Sequence, residues 1–236
     1  METSLHRQLK QLYGGTGARF EERVDGFRID VVAGARLIEI QHGSLAAIRD
    51  KIRKLVDDHE VLVVKPIIAR KVLVRLACEG GEPVGRRMSP KQGGLLDLFQ
   101  ELVHFTRAFP HPSLTLEVPL VEVEERRYPG HGRRRRWGRS DFEVEDQILT
   151  AVQEVHRFQT AQDLLRLVPG RLEQPFHSGD LADRLGVARW RAQQAAYCLV
   201  RMGAIAKVGK KGNARLYEVI SAPVERVSRA RRRRAG

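Results

Sequence analysis

The dipeptide Asp25-Gly26 separates two short strand-like runs, residues 19–24 and 27–32. An Asp-Gly pair takes up the positive-φ conformation that joins two antiparallel strands through two residues. Such a turn fixes the register: the numbers of opposed residues add to 51. Gly34-Ala35 reads as a second turn of this kind, leading into residues 36–41, where opposed numbers add to 69. Together the two registers set Glu21, Asp30 and Glu39 in one row across three neighbouring strands. Because side chains alternate along a strand, the face of that row also carries Arg23, Arg28 and Gln41. The other face carries Val24, Phe27, Ile29, Val31, Ile38 and Ile40, with Glu22, and is expected to pack on a helix. Asp30 opposite Glu39 is repulsive, and a divalent cation would offset the repulsion. Alternatively the row is a solvated charged face, with Arg23 and Arg28 as counter-charges.

The flanking segments predict an order of elements. Leu5, Leu9 and Leu12 mark a helix over residues 3–13, stopped by the glycines at 14, 15 and 17. Ser44 caps a second helix, with Leu45, Ile48, Ile52 and Leu55 at helical spacing. Val61-Leu62-Val63-Val64 follows as a buried strand, so strand, helix and strand imply a right-handed crossover and a parallel pair. Further on, residues 71–77 read as a strand, 79–94 as a loop and 95–109 as a helix. Residues 114–123 read as a strand interrupted by Pro119.

These residues, in this order, resemble the PD-(D/E)XK nuclease superfamily over about residues 1–68. The matching positions are Glu2, Glu21, Asp30 in Arg28-Ile29-Asp30-Val31-Val32, and Glu39-Ile40-Gln41. The run from Ile38 to Leu45 also resembles an uncharacterised bacterial family with a nuclease-like front end. The resemblance implies an α/β, restriction-endonuclease-like αβββαβ core. It implies Mg²⁺ or Mn²⁺ on Asp30 and Glu39, with the Ile40 carbonyl as a further oxygen and Glu21 as an auxiliary acid. The implied activity is water attack on a DNA phosphodiester. Gln41 stands where the superfamily usually has lysine, and glutamine supplies neither a charge nor a general base. Lys51 or Lys65 is the candidate substitute; otherwise Lys51 lies on a solvated helix face and Lys65 at a strand end.

Other chemistries have no support. Cys78 and Cys198 are far apart, and no Cys/His spacing suits zinc. No P-loop, dinucleotide fingerprint or nucleophile elbow is present. Neither a long apolar run nor a secretory leader is evident, so a cytoplasmic setting with no membrane partner is expected.

Charge divides the chain. Residues 1–125 hold eighteen basic and eighteen acidic side chains, so the net charge of +13 lies wholly in residues 126–236. That asymmetry suggests a second module facing a polyanion, or a basic surface that keeps the chain in solution. The expected division is a nuclease-like domain over 1–127, a basic linker over 128–140, a mainly α winged helix-turn-helix domain over 141–221, and a disordered basic tail over 222–236. Helices are predicted from Asp141 to about His156, after Thr160, from Ser178 to Leu185, and from Ala188 to Met202. The last two, around Gly186, resemble a winged helix-turn-helix, which implies that the final helix enters the major groove. It would offer Arg189, Trp190, Arg191, Gln193 and Gln194 to the bases, with Lys210 and Lys211 at a wing tip and Arg133 and Arg134 as phosphate tethers. A protein-docking winged helix is the alternative.

The combined expectation is a metal-dependent nuclease acting on double-stranded DNA, with a homodimer as one arrangement that would cut both strands. Its rival is a non-catalytic DNA-binding protein or transcription regulator with a degenerate nuclease-like domain.

Overall fold

The computed structural model describes residues 2–130 and 141–220. Helix α1 (Ser4–Gly14) is capped by Thr3, whose hydroxyl accepts the His6 N–H. Strands β1 (Arg19–Val24), β2 (Phe27–Ala33) and β3 (Arg36–Ile40) follow as two hairpins. Their registers run from Arg19↔Val32 to Val24↔Phe27, and from Val31↔Ile38 to Ala33↔Arg36, as the two turns require. Asp25 and Gly26 both have positive φ, 50° and 79°. The antiparallel ladder omits Glu21 opposite Asp30 and stops short of Asp30 opposite Glu39. Glu21 itself has φ 58°, a conformation that strains a residue with a Cβ.

A 3₁₀ turn capped by Ser44 leads into α2 (Arg49–Leu55), then β4 (Glu60–Val64), which lies parallel to β3 as the crossover predicts. After Lys65-Pro66 the chain continues as β5 (Ile67–Leu76). Both β4 and β5 run parallel to one long strand, β7 (Leu114–Pro129). Pro119 does not interrupt β7. It falls between Glu117, where pairing with β4 ends, and Leu120, where pairing with β5 begins, so its missing N–H costs little. The stretch expected to be a loop holds β6 (Pro83–Met88), an exposed strand antiparallel to β5. The helix expected over 95–109 is shorter, a 3₁₀ turn at Leu95–Asp97 and α3 (Leu98–Leu102).

The largest correction concerns residues 142–158. They form β8 (Phe142–Phe158), antiparallel to β7 along its length, and not the first helix of a separate module. Val144, Ile148, Thr150, Val152 and Val155 favour a strand. Three register shifts against β7 break the alternation, which leaves Ile148, Leu149 and Val152 at helix-like spacing. The result is a mixed α/β fold on an eight-stranded sheet, ordered β1-β2-β3-β4-β7-β5-β6 with β8 also on β7.

Both sides of the sheet are covered. Leu5 and Leu9 of α1 pack on Val31, Ile38, Ile40, Leu62 and Val64. On the other side Ile29, Val32, Leu37, Val61 and Val63 pack with Leu45, Ile52, Leu98 and Phe105. The single apolar face expected for the hairpins is therefore split. Ile29 and Val32 face one way and Val31 the other, so the alternation slips at Asp30.

After β8 come α4 (Ala161–Leu165), α5 (Ser178–Leu185), α6 (Arg189–Arg201) and a hairpin of β9 (Ile205–Lys211) and β10 (Ala214–Val219). His177, one residue before the expected Ser178, caps α5 through a reciprocal pair with Asp180. Gly186 ends α5 in the left-handed conformation. Leu164, Leu181, Ala192, Leu199 and Ile205 belong to the same buried cluster as Phe99 and Phe105. The Cys198 thiol donates to the Phe99 carbonyl at 3.5 Å. The boundary expected at 141 thus cuts through the sheet. Tyr128 and Pro129, expected in the linker, end β7. Arg133, Arg134 and the basic tail lie outside the described residues. Among those described, no helix is long and apolar enough to cross a membrane.

Candidate functional site

Glu2, His6 and Lys10 recur at four-residue intervals and share one face, while Leu5 and Leu9 anchor α1 in the core. That polar face meets the hairpins where their ladder opens. His6 Nε2 is 3.2 Å from Asp30 Oδ1 and 3.8 Å from Glu2 Oε1. Lys10 Nζ is 2.6 Å from Glu2 Oε1 and also bonds Glu21, whose other oxygen is held by Arg28. Asp30 Oδ2 accepts the Ile40 N–H at 2.8 Å. Glu39 Oε1 accepts the Asp30 N–H at 3.4 Å and Lys51 Nζ at 2.5 Å. Lys51 Nζ also donates to the Arg28 carbonyl. The expected row of acids is therefore reached from both sides of the sheet: α1 partners Glu21 and Asp30, and α2 partners Glu39. His42 joins His6 and Asp30 around an open cleft of about 430 Å³.

The two central carboxylates are driven apart in acidity. Burial raises the Glu39 pKa, and the Asp30 charge adds to this. Lys51 opposes both, and the balance is pushed up to about 7. Burial also works to raise Asp30, but the His6 and Ile40 hydrogen bonds, with the charges of His6 and Lys10, outweigh it and hold Asp30 below the usual range. For Lys10, burial pulls the pKa down, but Glu2 and Glu21 outweigh it and keep the ammonium charged. At neutral pH the site thus pairs an ionised Asp30 with a Glu39 that readily takes a proton.

Of the two lysines offered in place of the usual one, Lys51 reaches the acids and Lys65 does not. Lys65 is 5% exposed and donates to the carbonyls of His42 and Gly43 at 3.0 and 2.5 Å. It also lies 3.6 Å from Glu101, whose other oxygen accepts the Leu45 N–H at 2.9 Å. Lys65 is a brace for the loop after β3. Gln41, expected in the chemistry, instead donates its amide to the Ser44 carbonyl at 3.0 Å. Sequence reasoning misses His6, Lys10 and His42 at this site, although the four-residue spacing of Glu2, His6 and Lys10 is a signal that could have found two of them.

Among the described residues no three His, Cys, Asp or Glu side chains are grouped to hold a metal ion. The donor set is two carboxylates, Asp30 and Glu39. Such a set fits Mg²⁺, which takes one or two carboxylates and fills its other positions with water and phosphate. The Lys51 ammonium occupies one oxygen of Glu39, and a cation at the pair would share that carboxylate with it.

On the second surface, Arg189, Gln193, Lys210 and Lys211 are exposed as expected. Two expected base readers are not free for that role. Arg191 is paired with Asp97, and the Gln194 amide oxygen is buried without a hydrogen-bond partner among the described residues. A cleft of about 320 Å³ lies between α6 and the β9–β10 hairpin.

The chain is 28% identical over 226 residues to an uncharacterized protein of Treponema pallidum (strain Nichols), covering 92% of this chain and 84% of that protein. No solved structure matches. Residues 3–159, ending one residue beyond β8, match a family described as a domain of unknown function, DUF8091, and the chain belongs to that family.

Proposed function

We propose that this chain is a metal-dependent nuclease that hydrolyses DNA phosphodiesters. The observation that carries the proposal is the Asp30–Glu39 pair, split in acidity, with the Lys51 ammonium 2.5 Å from Glu39. The order α1, β1, β2, β3, α2, β4, with β3 and β4 parallel, supports a restriction-endonuclease-like core.

In this reading Asp30 and Glu39 hold Mg²⁺ or Mn²⁺. When bound, the ion polarises a phosphate oxygen and makes a coordinated water acidic. Asp30, kept ionised by His6 and the Ile40 N–H, is ready to take the cation. With no cation bound, Glu39 can hold a proton at Oε2, since Oε1 already accepts from the Asp30 N–H and Lys51. Lys51, fixed by Glu39 and the Arg28 carbonyl, supplies beside the acids the charge that Gln41 lacks. Helices α5 and α6 with the β9–β10 hairpin resemble a winged helix without its expected first helix, and this surface holds DNA.

Nicking of supercoiled plasmid tests the proposal. Cleavage should need Mg²⁺ or Mn²⁺, stop with EDTA, fall at least a hundredfold in Asp30→Asn and Lys51→Met, and persist in Gln41→Ala. Metal-independent nicking, or full activity in Asp30→Asn, would refute it.

One observation favours a non-catalytic DNA-binding protein instead. Each of the three acids already has a nitrogen partner: His6 for Asp30, Lys10 and Arg28 for Glu21, Lys51 for Glu39. DNA binding without cleavage under every metal condition would establish that alternative.

A further inference from the structure

Two of the four forked side chains expected to read base pairs from α6 are not available for it. Groove readers use forked side chains, such as Arg to guanine and Gln to adenine. Here Arg191 is tied to Asp97 and the Gln194 amide oxygen is buried. Beside the exposed Arg189 and Gln193, α6 exposes two aromatic rings, Trp190 at 55% and Tyr197 at 47%. They stand seven residues apart, so they share one side of the helix about 10 Å apart along its axis. Bases stacked as in one strand of a duplex rise roughly 3.4 Å each, so the rings are separated by about three stacked-base steps.

The ground around Tyr197 is cationic. Tyr197 lines the cleft between α6 and the hairpin together with Arg189, Arg201, Lys207 and Arg215. No acidic side chain lines that cleft among the described residues. Exposed rings set in a positively charged groove are the combination that binds unpaired nucleic acid. The bases stack on the rings, and the cations follow the phosphates. In a duplex the base faces are already stacked on one another, and rings of this exposure have little to engage.

Resting on the proposal that this surface holds DNA, we infer that it takes a single-stranded segment, with bases stacked on Trp190 and Tyr197 and the backbone along Arg201, Lys207 and Arg215. The preferred substrate is then DNA with an unpaired stretch, and not the continuous duplex expected from the sequence. The aromatic pair sets strand preference, and the cations set salt dependence.

The test uses the full chain in EDTA, which separates binding from any cleavage. Fluorescence anisotropy compares labelled oligo-dT with a duplex of equal length. The chain has two tryptophans, so a Trp137→Phe background leaves Trp190 as the sole reporter. Oligo-dT should bind more tightly than duplex and quench Trp190. Trp190→Ala and Tyr197→Ala should each weaken oligo-dT binding about tenfold and leave duplex binding within about twofold. Trp190→Phe and Tyr197→Phe keep a ring and should retain most of the affinity. Both positions are half exposed, so these variants should fold.

Tighter duplex binding, or oligo-dT affinity unchanged in both alanine variants, overturns the inference and leaves the DNA-holding role standing. Binding of neither DNA form overturns both.

Discussion

Glu39 should make the folded state less stable as pH rises, by an amount the structure sets. Its side chain is 6% exposed, so solvent does not screen the effect. In the folded chain its pKa is about 7, against 4.5 for an ordinary glutamate carboxyl. The folded state therefore binds a proton that the unfolded state has released, and stability is lost as pH rises from 4.5 towards and through 7. At about 1.4 kcal/mol per pKa unit, integration between roughly pH 5.5 and pH 8 gives a loss of about 2 kcal/mol. For a chain of this size that is about 4–8 °C in Tm. Asp30, with a lowered pKa, acts only below its unfolded value and lies outside this window. His42, whose pKa burial lowers, acts inside it with the opposite sign, so the wild-type profile alone would mislead.

The remedy is a difference. Glu39→Gln keeps an oxygen for the Asp30 N–H and Lys51 but cannot ionise. The stability of Glu39→Gln minus that of wild type should rise by about 2 kcal/mol from roughly pH 5.5 to pH 8, read by urea denaturation at each pH. Excess Mg²⁺ should flatten the rise by stabilising the ionised Glu39 of wild type alone. A difference that does not change with pH would refute the assignment of a buried, proton-holding Glu39. A pH-dependent difference that Mg²⁺ leaves untouched would keep the buried acid and remove the metal from it.

Three further outcomes follow from particular contacts. Lys51→Met should raise the Glu39 pKa beyond its present value, and an NMR titration of the Glu39 carboxyl carbon would read the shift directly; an unmoved pKa would mean that Lys51 does not face Glu39 in solution. Lys65→Met leaves Glu101 and the carbonyls of His42 and Gly43 without their buried donor and should cost about 3 kcal/mol in denaturant unfolding, whereas a loss under about 1 kcal/mol would contradict the brace. Leu199→Ala, at a position 1% exposed in the shared core, should lower one cooperative calorimetric transition by about 2–5 kcal/mol; two separate transitions would show that α4–α6 and the sheet unfold independently.

What the sequence disclosed was local, and what it withheld depended on distant partners. Asp25-Gly26 and Gly34-Ala35 determine the hairpin registers by backbone geometry alone, so the proximity of Glu21, Asp30 and Glu39 is legible in the residues, although the ladder omits the pairs that would set them directly opposite one another. The slip at Asp30 is not legible, because there the ladder opens and the acids take partners, His6 and Lys10, from a helix outside the hairpins. Strand β8 is hidden for a related reason. Its bulges are dictated by β7, and they scramble the alternation that would have announced a strand. On α6, Arg191 can be recognised as an arginine on an early turn, but not as the partner of Asp97, ninety-four residues away in sequence.

Gln41 shows most plainly why a strand motif is an incomplete guide to a site of this kind. The proposed chemistry asks for a positive charge at a place beside two carboxylates, not for a lysine two residues after a glutamate. Helix α2 is obliged to fold back over β3 because the crossover to a parallel β4 leaves it no other side to cover. That return brings Lys51 to Glu39 across twelve residues of chain. Once the charge arrives from the helix, Gln41 is released to close the turn at Ser44. On the proposed function, the departure from the motif and the replacement for it have one structural origin, and both can be tested at Lys51.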